Sequence, residues 1–180
     1  RSAFRGPPLP KPAISAPLTG GSVGSLQTGV ATGIGMFNAH TFAALRNEDL
    51  SDVAWVATGT PTVTTNTDVA PDGLTTADSI EDDSGAIAEY ISQAVTVASD
   101  TLTYTATVWV QCASSQQVIL TLILQPTGTH KATCTTTWTK ISTTAVNASL
   151  VLATLELRPT NATAANTGVA SFWRPQVYQS

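Results

Sequence analysis

Two consecutive runs of alternating residues, 86–97 and 101–112, constrain this chain more than any other feature. In the second run Leu102, Tyr104, Ala106, Val108, Val110 and Cys112 fall on one side, and Thr101, Thr103, Thr105, Thr107, Trp109 and Gln111 on the other. A period of two puts successive side chains on opposite faces of an extended strand; wound as a helix, the same pattern would scatter its apolar residues around the axis. In the first run Ile87, Glu89, Ile91, Gln93, Val95 and Val97 share one face. Ser99-Asp100 lies between the runs and reads as a turn, so the two are expected to be antiparallel strands facing one core. Composition agrees. Thr is roughly one residue in six and Val is frequent, and both are β-branched. Charged residues make up only 11% of the chain, too few for a coiled coil or a charge-driven disordered segment.

Further strands are expected at 60–66, 77–81, 118–124, 131–137, 138–147, 150–157 and 169–177, with Ala70-Pro71-Asp72-Gly73 as a turn. Eight to ten short strands fit a sandwich or jelly roll. Residues 118–124 (VILTLIL) and 150–157 are apolar on both faces. A strand with one wet face should alternate, so both are expected to be covered twice, and Ile119, Ile123, Val151 and Leu155 are expected to form a contact patch toward another subunit.

Residues 1–44 read differently. Pro7, Pro8, Pro10, Pro12 and Pro17 precede Gly20, Gly21, Gly24, Gly29, Gly33 and Gly35, a composition that favours extended chain over helix. Phe4, Leu9 and Ile14 recur at intervals that a purely polar linker would lack. The reading is an extended arm, 1–44, before a sandwich domain, 45–180, with Phe4, Arg5, Leu9, Lys11 and Ile14 as subunit or capsid contacts.

Charge is segregated. Residues 1–47 hold Arg1, Arg5, Lys11 and Arg46 with no acid, while 48–100 hold 11 of the 12 acids and no base. A basic segment followed by an acidic one suggests docking between segments or copies. With eight scattered bases and a net charge of −4, nucleic acid is not an expected partner. No apolar run reaches 18 residues, so no membrane helix is expected, and the Pro-rich start does not resemble a signal peptide.

Chemistry is sparse. His40 and His130 are the only histidines, and neither sits in a nucleophile motif, so no enzyme is expected. Asp72, Glu81, Asp82 and Asp83 are the one carboxylate group of the kind that holds Ca²⁺, but they lack the ligand ladder of a calcium loop and read as a solvated acidic stretch, with no cofactor expected. Cys112 and Cys134 admit one bridge, but are expected as buried thiols. Trp109 shares its face with Thr107 and Gln111, a ring beside a hydroxyl and an amide that suits a sugar face. The competing reading, and the preferred one, packs Trp109 under a further layer.

Six segments in order carry a resemblance. Arg46-Asn47-Glu48-Asp49-Leu50-Ser51-Asp52-Val53-Ala54-Trp55, Ala70-Pro71-Asp72-Gly73-Leu74-Thr75-Thr76-Ala77-Asp78, Ile91–Val97, Tyr104–Val110, Thr137–Ser142 and Trp173–Val177 resemble the motifs E-F/L-x-x-A-x-W, APDGTTTAD, Q-x-V-x-V, YTFSVYVKAG, SWQRVSV and W-G-x-Q of carbohydrate-binding-module-like β-sandwich domains in tailed-phage structural proteins and fibres. The chain departs from them at Gln111-Cys112-Ala113 and at Arg174-Pro175. The resemblance implies an all-β, antiparallel jelly-roll β-sandwich behind an extended Pro/Gly-rich arm, on a virion surface. It implies a non-enzymatic capsid decoration or cement protein, a homo-oligomer and in particular a trimer, partnered by the major capsid protein or other virion proteins. The alternative is a glycan-binding adhesin of a tail fibre, with a host surface glycan as partner.

Overall fold

The computed structural model of the chain describes residues 47–161 and 166–180. Within them the alternating pattern becomes ten strands: β1 (Val56–Thr58), β2 (Thr62–Val69), β3 (Thr75–Asp82), β4 (Tyr90–Thr96), β5 (Thr103–Gln111), β6 (Gln116–Ile123), β7 (Gly128–Cys134), β8 (Thr139–Val146), β9 (Leu152–Arg158) and β10 (Gly168–Gln179). They form two five-stranded sheets, β1-β4-β9-β6-β7 (sheet 1) and β2-β3-β10-β5-β8 (sheet 2). Every pairing is antiparallel. The architecture is an antiparallel jelly-roll β-sandwich, as the alternation requires.

The core is the set of inward positions. Sheet 2 contributes Ile80, Tyr104, Ala106, Val108, Val110, Ile141, Phe172 and Val177; sheet 1 contributes Ile91, Val95, Val118, Leu120, Leu122, Leu155 and Leu157. Both alternating runs keep the expected parity, although the first half of 86–97 is loop and β4 starts only at Tyr90. Glu89, on the inward parity just before that strand, is buried. It accepts hydrogen bonds from Thr60 N (2.8 Å), Thr60 Oγ1 (2.9 Å) and Asp83 N (3.3 Å). The Thr60 backbone N–H, more than the opposing burial, holds its carboxyl below the ordinary glutamate value.

Two other buried polar side chains tie loops to the sandwich. Asp78 accepts from Leu50 N (2.7 Å) and Asn66 N (2.8 Å), fixing the chain ahead of β1 and the left-handed Asn66 in β2. Asn147 donates to Ala98 O (2.6 Å) and Leu150 O (2.9 Å) and accepts from Leu150 N (2.9 Å). Each meets the requirement that buried polar atoms be paired.

Three expectations are corrected. Cys112 and Cys134 are not buried thiols; they form a disulfide with a Cα–Cα distance of 5.6 Å. The end of β5 in sheet 2 faces the end of β7 in sheet 1, so two inward cysteines meet between the layers. Leu155 is a core residue, fully buried, and belongs to no contact patch. Ile119 points outward from sheet 1 but is only 2% exposed; Arg158 and Lys131 stand directly beside it in the ladder, and long charged side chains shield apolar neighbours with their aliphatic stems. Ile123 and Val151 remain exposed. Phe4, Arg5, Leu9, Lys11 and Ile14, like the arm itself, lie outside the described residues.

Candidate functional site

The outer face of sheet 2 carries the residues picked from sequence. Trp109, Thr107 and Gln111 do share it, along β5. Trp109 stands directly opposite Trp173 of β10, with Lys140 of β8 on its other side. Thr107 is only 3% exposed, between Gln176 and Ser142 in the ladder, and its Oγ1 has no hydrogen-bond partner. The Gln111 amide is already engaged, donating to Thr136 O at 2.7 Å. Just before β8, Trp138 Nε1 donates to Val69 O, at the end of β2, at 2.8 Å. Trp173 is also held, by its Nε1 bond to Thr76 Oγ1 (3.2 Å) and by the Arg174 guanidinium 4.5 Å from its ring. Trp109 is half-buried, beside Trp173 in the ladder.

The outer face of sheet 1 is organised differently. One transverse row runs through all five strands in register: Val56, Ser92, Glu156, Thr121 and Thr129. The adjacent row is Thr58, Tyr90, Arg158, Ile119 and Lys131. With strands about 4.8 Å apart, each row is about 19 Å long. At the centre the Arg158 guanidinium lies 3.7 Å from the Tyr90 ring centroid. Arg158 Nε and Nη2 both donate to Glu156 Oε2, at 3.2 and 2.9 Å. The pair thus leaves Glu156 Oε1 as an acceptor and Arg158 Nη1 as a donor. Glu156 and Thr121 are nearly buried, so the group is fixed before any ligand arrives, which lowers the cost of ordering it.

Sequence reading missed Tyr90, Glu156 and Arg158. The signal was present: Glu156 and Arg158 are two apart, on the parity opposite Leu155 and Leu157, in a strand whose only departures from apolar character they supply with Thr154.

Asp72, Glu81, Asp82 and Asp83 are not gathered at one point. Asp72 sits in the β2–β3 turn, where it accepts from Leu74 N (3.0 Å). Glu81 and Asp83 are exposed while Asp82 is buried. Among the described residues no three His, Cys, Asp or Glu side chains cluster as a metal site. His130 is exposed on edge strand β7, and His40 lies outside the described residues.

No family model matches the chain, and no curated protein matches it. Solved structures do. A xylan-binding domain, CBM22-1 of Paenibacillus barcinonensis Xyn10C, aligns with a TM-score of 0.55 at 14% identity, covering 73% of this chain and 89% of that one. TmCBM61, solved with β-1,4-galactotriose, aligns at 0.52 and 13% identity, covering 76% and 97%. Tailspike protein 4 of bacteriophage CBA120, its enzymatically active domain, aligns at 0.55 and 13%, over 74% of this chain but only 20% of the tailspike chain. At these identities the likeness is one of fold: a carbohydrate-binding-module-like β-sandwich.

Proposed function

We propose that this chain binds carbohydrate without processing it, laying an extended glycan across the outer face of sheet 1. The observation that carries this reading is the Tyr90–Arg158–Glu156 stack at the centre of two five-residue rows. A carboxylate accepts from sugar hydroxyls, a guanidinium and threonines donate to them, and an aromatic–guanidinium plane gives an apolar ring face somewhere to rest. That the fold is shared with a xylan-binding domain and with a domain solved with galactotriose supports the same reading. We read the chain as non-enzymatic, in keeping with a sequence whose two histidines sit in no nucleophile motif.

The test is a glycan array probed with the full chain, then calorimetry on the best ligand with three variants. Arg158→Ala and Tyr90→Ala should each weaken binding about tenfold or more, the equivalent of about 1.4 kcal/mol, while Trp109→Ala leaves affinity unchanged. A blank array sinks the proposal; loss through Trp109 alone moves the site to sheet 2.

The setting we assign is a virion surface, as a capsid decoration or cement subunit, trimeric and held through residues 1–44. The charge segregation supports it, since a basic segment without acids precedes a domain carrying 11 acids in 48–100. The likeness to part of a phage tailspike supports the virion setting. Deleting residues 1–40 should leave a folded sandwich that no longer docks on its particle. Unchanged docking would remove the arm from the mechanism.

A further inference from the structure

Charge is divided unevenly between the two sheets. The described residues hold all twelve Asp and Glu of the chain and four of its eight Lys and Arg. On the strands of sheet 1 stand two of those four bases, Lys131 and Arg158, with a single acid, Glu156. The strands of sheet 2 carry Asp68, Asp78, Glu81 and Asp82 against Lys140 and Arg174. The outer face of sheet 1 is thus a cationic surface on a domain whose described residues are otherwise acidic.

The acid of that face is already engaged. Glu156 Oε2 accepts both of its bonds from Arg158, while Arg158 Nη1 keeps its N–H groups to give. Lys131 is exposed at the β7 edge of the same row. Its Nζ donates to a neutral acceptor, Asn161 Oδ1, at 3.4 Å, and it forms no ion pair among the described residues. An ammonium has further donors to offer. Between the two cations in the row stands Ile119, an uncharged and buried residue. Two strands apart, Arg158 and Lys131 have Cα atoms about 10 Å from each other. That is more than one sugar ring spans, so the pair answers groups on different sugars of one chain.

Resting on the glycan reading above, we infer that the ligand of this face is an acidic polysaccharide, one in which some of the sugars carry carboxylates. A neutral glycan uses the hydroxyls and the Tyr90 ring but leaves Lys131 facing water. A sugar carboxylate beside Lys131, or on the Nη1 side of Arg158, forms charge-assisted hydrogen bonds, stronger than those to a hydroxyl. Arg158 and Lys131 differ in what they supply: the guanidinium is held in a fixed plane by Glu156 and Tyr90 and sets position, while the ammonium is a mobile point charge that follows the ligand. The acidic remainder of the domain disfavours a dense polyanion at long range. Carboxylates spaced along a mostly neutral chain are the better match.

The experiment probes the full chain with an array of neutral polysaccharides, xylan and β-1,4-galactan among them, and of uronate polymers such as hyaluronan and unsulfated chondroitin. Each uronate polymer is printed beside its carboxyl-reduced form. Uronate polymers should give the strongest binding, and reduction of their carboxylates should weaken it about tenfold. Raising NaCl from about 50 to 500 mM should weaken the acidic ligand and leave any neutral one unmoved. Lys131→Gln should weaken the uronate polymer about threefold, the size of an exposed ion pair, and flatten its salt dependence. Lys140→Gln removes the same charge from sheet 2 and should change neither. If neutral polysaccharides bind as tightly as uronate polymers, or if carboxyl reduction and Lys131→Gln leave affinity unchanged, this inference is wrong while the glycan reading stands. A blank array sinks both.

Discussion

The two outer faces of this sandwich are made by the same rule and carry different chemistry. Sheet 2 turns out Trp109 and Trp173, directly opposed, and Trp138, ahead of β8, donates to Val69 O at the end of β2. Sheet 1 turns out one partly covered ring, Tyr90, and spends its ordering on an ion pair and a row of hydroxyls. On sheet 2 the Gln111, Trp138 and Trp173 side-chain donors are committed to the protein itself, while Thr107 Oγ1 is buried without a partner.

The strongest way to disturb this contrast is at the disulfide, which joins the two sheets and sits immediately before the loop that carries Trp138. Replacing both Cys112 and Cys134 by Ser should cost about 3 kcal/mol, as expected for opening a loop of that length, read by urea titration. Ligand binding on sheet 1 should persist wherever the variant stays folded. Next in size is Trp109→Ala. If sheet 2 is a packing layer, truncating a large ring there should cost about 2–3 kcal/mol with no change in affinity. A loss below about 0.5 kcal/mol, within the range of ordinary surface changes, would mean that the ring is available after all.

A smaller effect of opposite sign is expected at Arg174. It holds a left-handed φ of 47° at the register shift in β10 between Trp173 and Gln176, where the resembling motif has Gly. Arg174→Gly should stabilise by about 0.5–1 kcal/mol net of the lost contact with Trp173, seen as a modest rise in Tm. A fall in Tm would show that the guanidinium–indole contact outweighs the strained backbone.

The subtlest test uses acid. Glu89 immediately precedes Tyr90 and fastens the start of β4 to Thr60. Its pKa in the folded protein is depressed, so its contribution is complete above the ordinary glutamate range and fades as pH falls through the depressed value. Wild type and Glu89→Gln should differ in Tm at neutral pH and converge in acid. A gap that stays constant down to pH about 3, below the glutamate reference, would show that the carboxylate charge is not what holds the strand.

Parity was legible in sequence because burial on one face forces it: Tyr104, Ala106, Val108 and Val110 are where the alternation puts them, and Cys112 points inward as read. What Cys112 meets was not legible, since its partner lies 22 residues on, in the other sheet, and only the stacking of the layers brings them together. Ile119 was misread because an apolar outward residue looks exposed until its ladder neighbours are known. The sheet 1 constellation was out of reach for the same reason. Tyr90 and Arg158 are far apart in sequence and become neighbours through the register of β4 on β9. Single-strand parity puts Trp109 on the outward face but does not give its ladder neighbours, Trp173 and Lys140. The arm and its five named contacts fall outside the described residues.

The placement of the terminal strands also decides how the domain answers to mechanical force. Beyond the Leu50–Asp78 hydrogen bond, tension entering from the N-terminal side reaches β1 first, a three-residue edge strand paired only with β4. Such a strand can peel away one bond at a time. Tension on the C-terminus instead loads β10, 12 residues long and held between β3 and β5, where two ladders must shear together. Anchored by its N-terminal side, the molecule has a soft attachment that lengthens under load while the sandwich stays whole. In single-molecule pulling this appears as a small, low-force extension before the main rupture.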